Sequence, residues 1–315
     1  MSDETRSGTR VVLGANQYGK AENRVVRIHR DTPRHEIRDL NVSTSLRGDF
    51  TDAHVTGDQG NVLPTDTQKN TAFAFAKKHG VSSPEDYAIA LGTHFLDAAP
   101  PATGARIGVE EQAWDRIQVD GSGHDHSFVR RGTETRTCVV TVEGRGAEQQ
   151  VWVVSGFTDL VVLKSTGSEF KGFLVDEYTT LQETDDRIMA TSLTARWRYE
   201  GTGFTAGSGV GWDATYEDVK AIMMSAFATT YSRALQETLY AMGRDVIEAR
   251  PEVAEVRFSA PNKHHFPVDL APFGLENAGE VFIAADRPYG LIEATVSREG
   301  SSDPGLAWQA VPGFV

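Results

Sequence analysis

In the first half of the chain, the spacing of hydrophobic positions changes from a period of two, typical of strands, to a period near 3.6, typical of helices. It then returns to a period of two. In the second strand-like segment, Leu40, Val42 and Leu46 fall on one face, as a half-buried strand requires. The pattern predicts two strands, two helices and two further strands, over residues 23–30, 36–50, 65–80, 83–98, 106–117 and 126–144.

Both predicted helices carry start signals. Thr65 is a candidate N-cap with Gln68 three residues later, the spacing of a capping box, and Gly80 marks the end of that helix. The next helix has Ser83 as its candidate cap and Pro84 at its first position, where the missing amide hydrogen costs nothing.

The second half of the chain repeats the same order of elements without repeating the residues. Strands and helices are grouped rather than alternating, which predicts an α+β fold of two ββααββ units with antiparallel sheets and helices on one face. Because a four-stranded sheet leaves two unpaired edges, we expect the units to associate and the protein to form oligomers. The segments are residues 149–166, 187–200, 215–230, 232–250, 255–270 and 279–296.

Composition narrows the classes of partner. The 315 residues carry a net charge of -13, which argues against a nucleic-acid partner because phosphate binding needs a concentrated basic surface. No apolar run approaches the roughly eighteen residues of a membrane span, so we expect no membrane partner. The polar first residues do not resemble a signal peptide. The single cysteine, Cys138, is expected to be a buried strand residue rather than a nucleophile.

Several residues are candidates for chemistry, although each also has an ordinary structural explanation. Thr65 and Asp66 open a helix, where the backbone amides can hold an anion or a cap. Lys20 follows Tyr-Gly; a buried lysine with a lowered pKa can act as a base, but nothing in the local sequence indicates that this one is buried. Residues 164–187 form a long link with several aromatic side chains, more typical of a binding loop than of filler, and it ends at Arg187.

The stretch "SAPNKHHF" (259–266) holds two adjacent histidines. In a strand, Asn262 and His264 share one face and His265 points to the other. A metal site, a catalytic base with a helper and two surface histidines all fit this stretch. A metal site is disfavoured, because this stretch has no HxH spacing and the chain has no HExxH or CxxC to supply further ligands.

The chain as a whole resembles the urate oxidase (uricase) family. The resemblance runs from about residue 16 to residue 296, in the expected order, and its longest stretch is specific by itself. The stretches that carry it are "YGKAENRVVRI", "PTDTQKNT", "LGTHFL", "DGSGHDHSFVR", "LKSTGSEFKGFLVDEYTTLQETDDRI", "DATY", "LQETLYAM" and "APNKHHF".

The resemblance implies the tunnelling fold, two tandem ββααββ units per chain. It further implies dimers that close sixteen-stranded barrels and stack into a homotetramer with active sites between subunits. We place a flexible N-terminal tail at residues 1–15, the first unit at 16–146, the second at 147–300 and a C-terminal tail at 301–315.

The implied reaction is oxidation of urate by O2 and water to 5-hydroxyisourate and hydrogen peroxide, without metal or organic cofactor. By motif, Lys20, Thr65 and His264 would form the catalytic proton relay. The residues that would bind urate, O2 or water are Thr65, Asp66, Phe170, Arg187, Leu235, Gln236 and Asn262, with Thr65 and Asp66 supplied by the neighbouring subunit.

Some positions depart from the family pattern. Leu235 stands where a valine is common, and His265 where a tyrosine is common; we assign no role to His265. The last residues do not form the peroxisomal tripeptide of eukaryotic members, so we expect a bacterial-type cytoplasmic enzyme. The alternatives are a tunnelling-fold enzyme acting on a pterin and a purine-binding protein that has lost the chemistry. The missing metal-ligand cluster disfavours the first, and the presence of both Lys20 and Thr65 disfavours the second.

Overall fold

In the computed structural model, which describes residues 10–309, all eight strands form one antiparallel sheet in sequence order. The two predicted four-stranded units are joined edge to edge, because β4 pairs with β5. The predicted α+β class is confirmed. The strands are β1 (Tyr18–His29), β2 (Glu36–Gly48), β3 (Ala102–Val119), β4 (Ser122–Glu143), β5 (Gln150–Lys164), β6 (Met189–Tyr199), β7 (Val253–Pro267) and β8 (Phe282–Ser297).

The longer helices pack against one face of this sheet and share a single apolar core with it. One short helix, α1, was not predicted; it has no buried residue and therefore leaves no apolar pattern in the sequence. Within residues 10–309, none of the helices combines the length and apolarity needed to cross a membrane. The helices are α1 (Thr51–Val55), α2 (Thr65–Lys78), α3 (Pro84–Ala98), α4 (Trp212–Thr229) and α5 (Leu235–Ala249).

The pleat of the strands separates an apolar face from a polar one. On β2, Leu40, Val42 and Leu46 are fully buried under the helices, as their alternation predicts. The residues between them, Asn41 and Ser43 among others, lie on the opposite face and are polar. Cys138 on β4 is a buried free thiol, as expected.

The structure confirms one predicted helix start and corrects the other. Ser83 caps α3, since its hydroxyl accepts the Asp86 amide hydrogen at 3.1 Å. Thr65 is not a cap: Pro64 occupies the N-cap position with extended backbone, and Thr65 is already the first helical residue. Gln68 does not form a capping box, because its side-chain oxygen accepts a hydrogen bond from the Thr44 hydroxyl at 2.7 Å. The Thr65 hydroxyl is therefore free for another partner.

After β8 the chain folds back over the face of the sheet opposite the helices. We call residues 302–309 the C-terminal strap. Its Ser302 carbonyl accepts a hydrogen bond from Arg198 at 2.9 Å, and Trp308 donates to Glu255 at 3.1 Å. At its far end Gln309 accepts a hydrogen bond from Arg47 on β2. The first part of the predicted C-terminal tail is thus packed, whereas residues 1–9 and 310–315 lie outside the described part of the chain.

Candidate functional site

Arg187 and Phe170 lie at the two ends of the long link between β5 and β6. The guanidinium carbon of Arg187 is 4.9 Å from the centre of the Phe170 ring, and the Arg187 amide donates to the Ser168 carbonyl at 2.8 Å. Reciprocal backbone hydrogen bonds between Phe170 and Thr184 hold the start and the end of the link together. The link therefore folds back on itself and presents both side chains at one place.

The first turn of α5 adjoins this link. Ser232 exchanges backbone hydrogen bonds with Gly167 and Glu169, at 3.0 and 2.8 Å. Leu235 and Gln236 follow as the first two residues of α5, the former buried and the latter exposed. Their amide hydrogens have no acceptor within the helix, as is general for a first helical turn, and so can serve a ligand.

His264 on β7 lies in the electric field of Arg187. Burial lowers the pKa of His264, and the charges of Arg187 and His265 lower it further, so the ring is neutral at pH 7. Asn262 is two residues away on the same strand and pairs with Thr191 of β6. The structure thus places Phe170 and His264 beside Arg187, and it places Leu235, Gln236 and Asn262 on the elements that adjoin these residues.

Arg187 itself is a half-buried cation. No carboxylate of the described part of the chain lies within ion-pair distance of it, and its Nε is buried without a hydrogen-bond acceptor. Burial lowers its pKa, but an arginine remains charged at any physiological pH. A fixed, planar fork of unused donors with a full positive charge is suited to a flat anion with several acceptors.

Lys20, Thr65 and Asp66 form a second group at the other end of the sheet, where α2 packs on β1. The backbone of Lys20 donates to the Thr44 hydroxyl at 3.2 Å, and Thr44 in turn bonds to Gln68 of α2. The hydrogen bond and charge of Lys69 lower the pKa of Asp66, and the nearby charge of Lys20 adds to this effect. Lys20 therefore lies beside the first turn of α2.

Gly19, which the sequence pattern does not single out, makes this second group possible. A Cβ on Gly19 would lie 1.7 Å from the Thr44 carbonyl oxygen, so β1 can approach β2 this closely only with glycine there. On one side of it, the Tyr18 hydroxyl accepts the Leu63 amide hydrogen at 2.9 Å and fixes the entry to α2. The only signal in the sequence was a glycine placed directly before a candidate lysine.

The two groups do not meet within one chain. Six strand spacings of about 4.8 Å separate β1 from β7, on the order of 30 Å along the sheet. The predicted relay of Lys20, Thr65 and His264 is accordingly divided between the two ends. Within residues 10–309, no set of three or more His, Cys, Asp or Glu side chains is placed to hold a metal ion.

Comparison with known proteins gives a consistent result across nearly the whole chain. Residues 16–141 and 153–293 match the family model described as Uricase. A uricase from Arthrobacter globiformis is 53% identical over 99% of this chain and 98% of its own length, and one from Dictyostelium discoideum is 39% identical over 91% and 97%. The crystal structure of the Arthrobacter enzyme superposes with a TM-score of 0.86, at 54% identity over 94% of this chain and 98% of that one.

Proposed function

The chain belongs to the uricase family and is a urate oxidase, and we propose that its two groups of residues form the two halves of one urate site. The overall reaction is urate, O2 and water giving 5-hydroxyisourate and hydrogen peroxide, with no metal or organic cofactor. The observation that carries the assignment of the binding half is the half-buried, unpaired guanidinium of Arg187 above the ring of Phe170.

Urate binding uses the group around Arg187. The guanidinium and the Gln236 amide bond the acceptors and donors along the edge of the purine, the Leu235 amide hydrogen adds a donor, and Phe170 stacks on its face. The Arg187 guanidinium carbon lies 4.9 Å from the centre of the Phe170 ring, so both side chains can reach the same purine.

Proton removal uses the group around Lys20. A second deprotonation makes urate more electron-rich, and a dianion transfers electrons to O2 more readily. Thr65 passes this proton from urate to Lys20, and its hydroxyl is available because it does not cap α2. Asp66 completes the wall of the pocket beside Thr65.

The face of the purine opposite Phe170 is where oxygen chemistry takes place. Asn262 holds O2, peroxide or the attacking water, and neutral His264 extends the relay toward Lys20 by accepting or donating a proton. Neutrality matters because an imidazolium beside Arg187 could not accept a proton.

The distance between the two groups implies that each site is shared between two subunits of a homotetramer. The unpaired outer edges β1 and β8 lie beside the Lys20 and His264 groups, respectively. Pairing of such edges between copies would bring Lys20 and Thr65 of one subunit to Arg187 of its partner and would also remove both edges.

Loss of urate absorbance with O2 uptake in chelator-treated buffer tests the reaction. In Lys20→Met, turnover should fall by at least about a hundredfold, the size of a general-base contribution, while a urate analogue still binds. The control is Lys77→Met, which changes an exposed lysine on α2 and should keep wild-type turnover. Unchanged turnover in Lys20→Met would exclude this lysine as the base.

Coexpression of two inactive variants tests whether each site is shared between two subunits. Lys20→Met and Arg187→Gln should each be inactive as homo-oligomers, but coexpression should restore activity, since some mixed sites combine two intact halves. No recovery in confirmed hetero-oligomers would show that both groups act within one subunit.

A further inference from the structure

The face of the sheet opposite the helices holds a cavity of about 450 Å³, which borders the Lys20 group at Gly19 and Thr44 but is not lined by Lys20, Thr65, Arg187 or His264. It spans strands β1 to β6, and we call it the arginine cavity. The residues that line it include Arg106, Arg196, Ser45, Gly108, Glu22 and Glu110.

The side chain of Arg106 lines the arginine cavity, and its N–H donors have no acceptor among the described residues. It is half-buried, no carboxylate of residues 10–309 is within ion-pair distance of it, and its Nε is buried without an acceptor. Its cross-strand neighbour on β2 is Ser45, whose hydroxyl is likewise buried without a partner. Arg47, two residues from Ser45 along β2, differs in having a carboxylate partner: it is paired with Glu143 at 2.9 Å and also donates to Gln309.

Arg196 supplies a second cation on the same surface. Its side chain lies across Gly156, so that a Cβ on that glycine would be 2.9 Å from the Arg196 Cγ, and it forms no ion pair with the described residues. Between the arginines, Gly108 leaves the floor open, with no atom within 4 Å of where its Cβ would be. Burial lowers the pKa of Arg106, and the charges of Arg196 and Arg47 lower it further.

Two carboxylates, Glu22 and Glu110, also line the cavity, but they lie away from Arg106. Glu110 accepts a hydrogen bond from Asn41 at 3.2 Å and is four residues from Arg106 along β3, which is about 13 Å of strand. The backbone amide of Glu22 is held by Ser43, and its side chain is exposed. Arg196 lies in register with Glu110 through Thr137 and Gly156, but neither carboxylate is within ion-pair distance of Arg106 or Arg196.

We propose that the arginine cavity binds a small tetrahedral oxyanion of the phosphate class. The guanidinium of Arg106 would supply parallel N–H donors, including the unused Nε, the Ser45 hydroxyl a third donor, and Arg196 a second charge from the opposite wall. An oxyanion there would give hydrogen-bond partners to the Arg106 Nε and the Ser45 hydroxyl. It would also lie between the two guanidinium groups and offset their mutual repulsion. Its donors are distinct from the residues proposed to bind urate, and the proposal does not rest on the function proposed for Lys20 or Arg187.

Calorimetric titration of the intact enzyme with inorganic phosphate, at ionic strength held constant with sodium chloride, tests the proposal. One phosphate per chain should bind in the wild type and in Arg130→Gln, which removes an equal charge on an exposed part of β4. Arg106→Gln and Arg196→Gln should each weaken binding by at least about tenfold, the effect of losing one charge-assisted contact. Arg196 is exposed, so its variant remains informative if the half-buried Arg106 variant fails to fold.

The same titration under anaerobic conditions with saturating urate separates this cavity from the urate site, because turnover cannot occur without O2. Phosphate binding should be unchanged by urate. Displacement by urate would place phosphate at Arg187 and overturn the proposal. Wild-type affinity in Arg196→Gln, or no measurable binding in the wild type at millimolar phosphate, would also overturn it.

Discussion

Lys20 is held in position by the residue before it. Gly19 lies so close to the Thr44 carbonyl that no side chain fits, and Thr44 in turn connects Lys20 to α2 through Gln68. A single glycine therefore determines the distance between the candidate base and the helix that carries Thr65. Periodicity could not reveal this, because it reports which face a residue takes and not how closely two strands approach.

Gly19→Ala should lower the free energy of unfolding by about 1–3 kcal/mol, the range for forcing a methyl group into a packed site. It should also lower turnover, because Lys20 moves with β1. Chemical denaturation and steady-state kinetics measure the two effects. Gly108→Ala is the matched control on β3, where a methyl group meets no atom within 4 Å. Equal stability of the two variants would contradict the close approach of β1 to β2.

His264 should titrate below the ordinary histidine pKa of 6.5, because burial and the charges of Arg187 and His265 all disfavour the imidazolium. The sign follows from linkage. Since the folded-state pKa is lowered, the stability contributed by neutral His264 is present above pH 6.5 and is lost as the pH falls through the folded-state pKa.

Nuclear magnetic resonance titration of the His264 ring measures this pKa directly. Arg187→Gln should raise the midpoint toward 6.5 without reaching it, since burial remains, and Arg130→Gln on β4 should leave it unchanged. A midpoint above 6.5 in the wild type would contradict the placement of His264 near Arg187.

At the scale of elements, the sequence predicted what local chemistry determines. Ser83 and Pro84 marked the start of α3 correctly, and alternation marked the buried face of β2. It misjudged Thr65, because Pro64 can itself take the extended N-cap conformation. It also shortened the hairpin of β3 and β4, whose outer ends extend past the helix layer and lose the apolar alternation.

The two helix starts give a paired stability test. Ser83→Ala should lower the free energy of unfolding by about 1 kcal/mol, the usual value of a side-chain cap. Thr65→Ala should cost clearly less, since the Thr65 hydroxyl satisfies no helix amide. Thermal and urea unfolding compare the two variants. An equal loss of unfolding free energy in both would show that Thr65 does cap α2.

At the scale of the whole molecule, buried charges connect the two four-stranded halves. Arg136 of β4 donates to Glu85 of α3 at 2.8 Å and to Asp213 of α4 at 2.6 Å. Glu85 also accepts from Ser155 of β5 at 2.6 Å. Burial lowers the pKa of Arg136, but the surrounding carboxylates raise it more strongly, so the guanidinium stays protonated. The sequence could not show this network, because its members are far apart along the chain.

Arg136→Met should lower the free energy of unfolding by about 3–5 kcal/mol, because it leaves the fully buried carboxylate of Glu85 without its cation. Denaturant unfolding should remain a single transition, since the network and the β4–β5 pairing couple the halves. Arg131→Gln removes an exposed ion pair with Asp115 and should cost less than about 1 kcal/mol. A loss in Arg136→Met as small as in this control would contradict a coupling role.

The site was predictable in a different way from the fold. Spacing alone left Lys20, Arg187 and His264 with ordinary explanations, and the resemblance to a family selected them. The structure places Arg187 and His264 together through a folded link and a strand, and places Lys20 at the far end of the sheet. Neither the resulting division nor the unused donors of Arg187 could be deduced from residue order, because both depend on tertiary packing.

The order of the strands also bears on how the protein is made. Every strand pairs with its neighbour in sequence, so the sheet can grow one strand at a time as the chain leaves the ribosome, without waiting for a distant segment. The C-terminal strap is the exception, since Gln309 accepts a hydrogen bond from Arg47 on β2. That contact can form only after all eight strands have been synthesised, so the strap joins the two ends of a sheet that is already assembled.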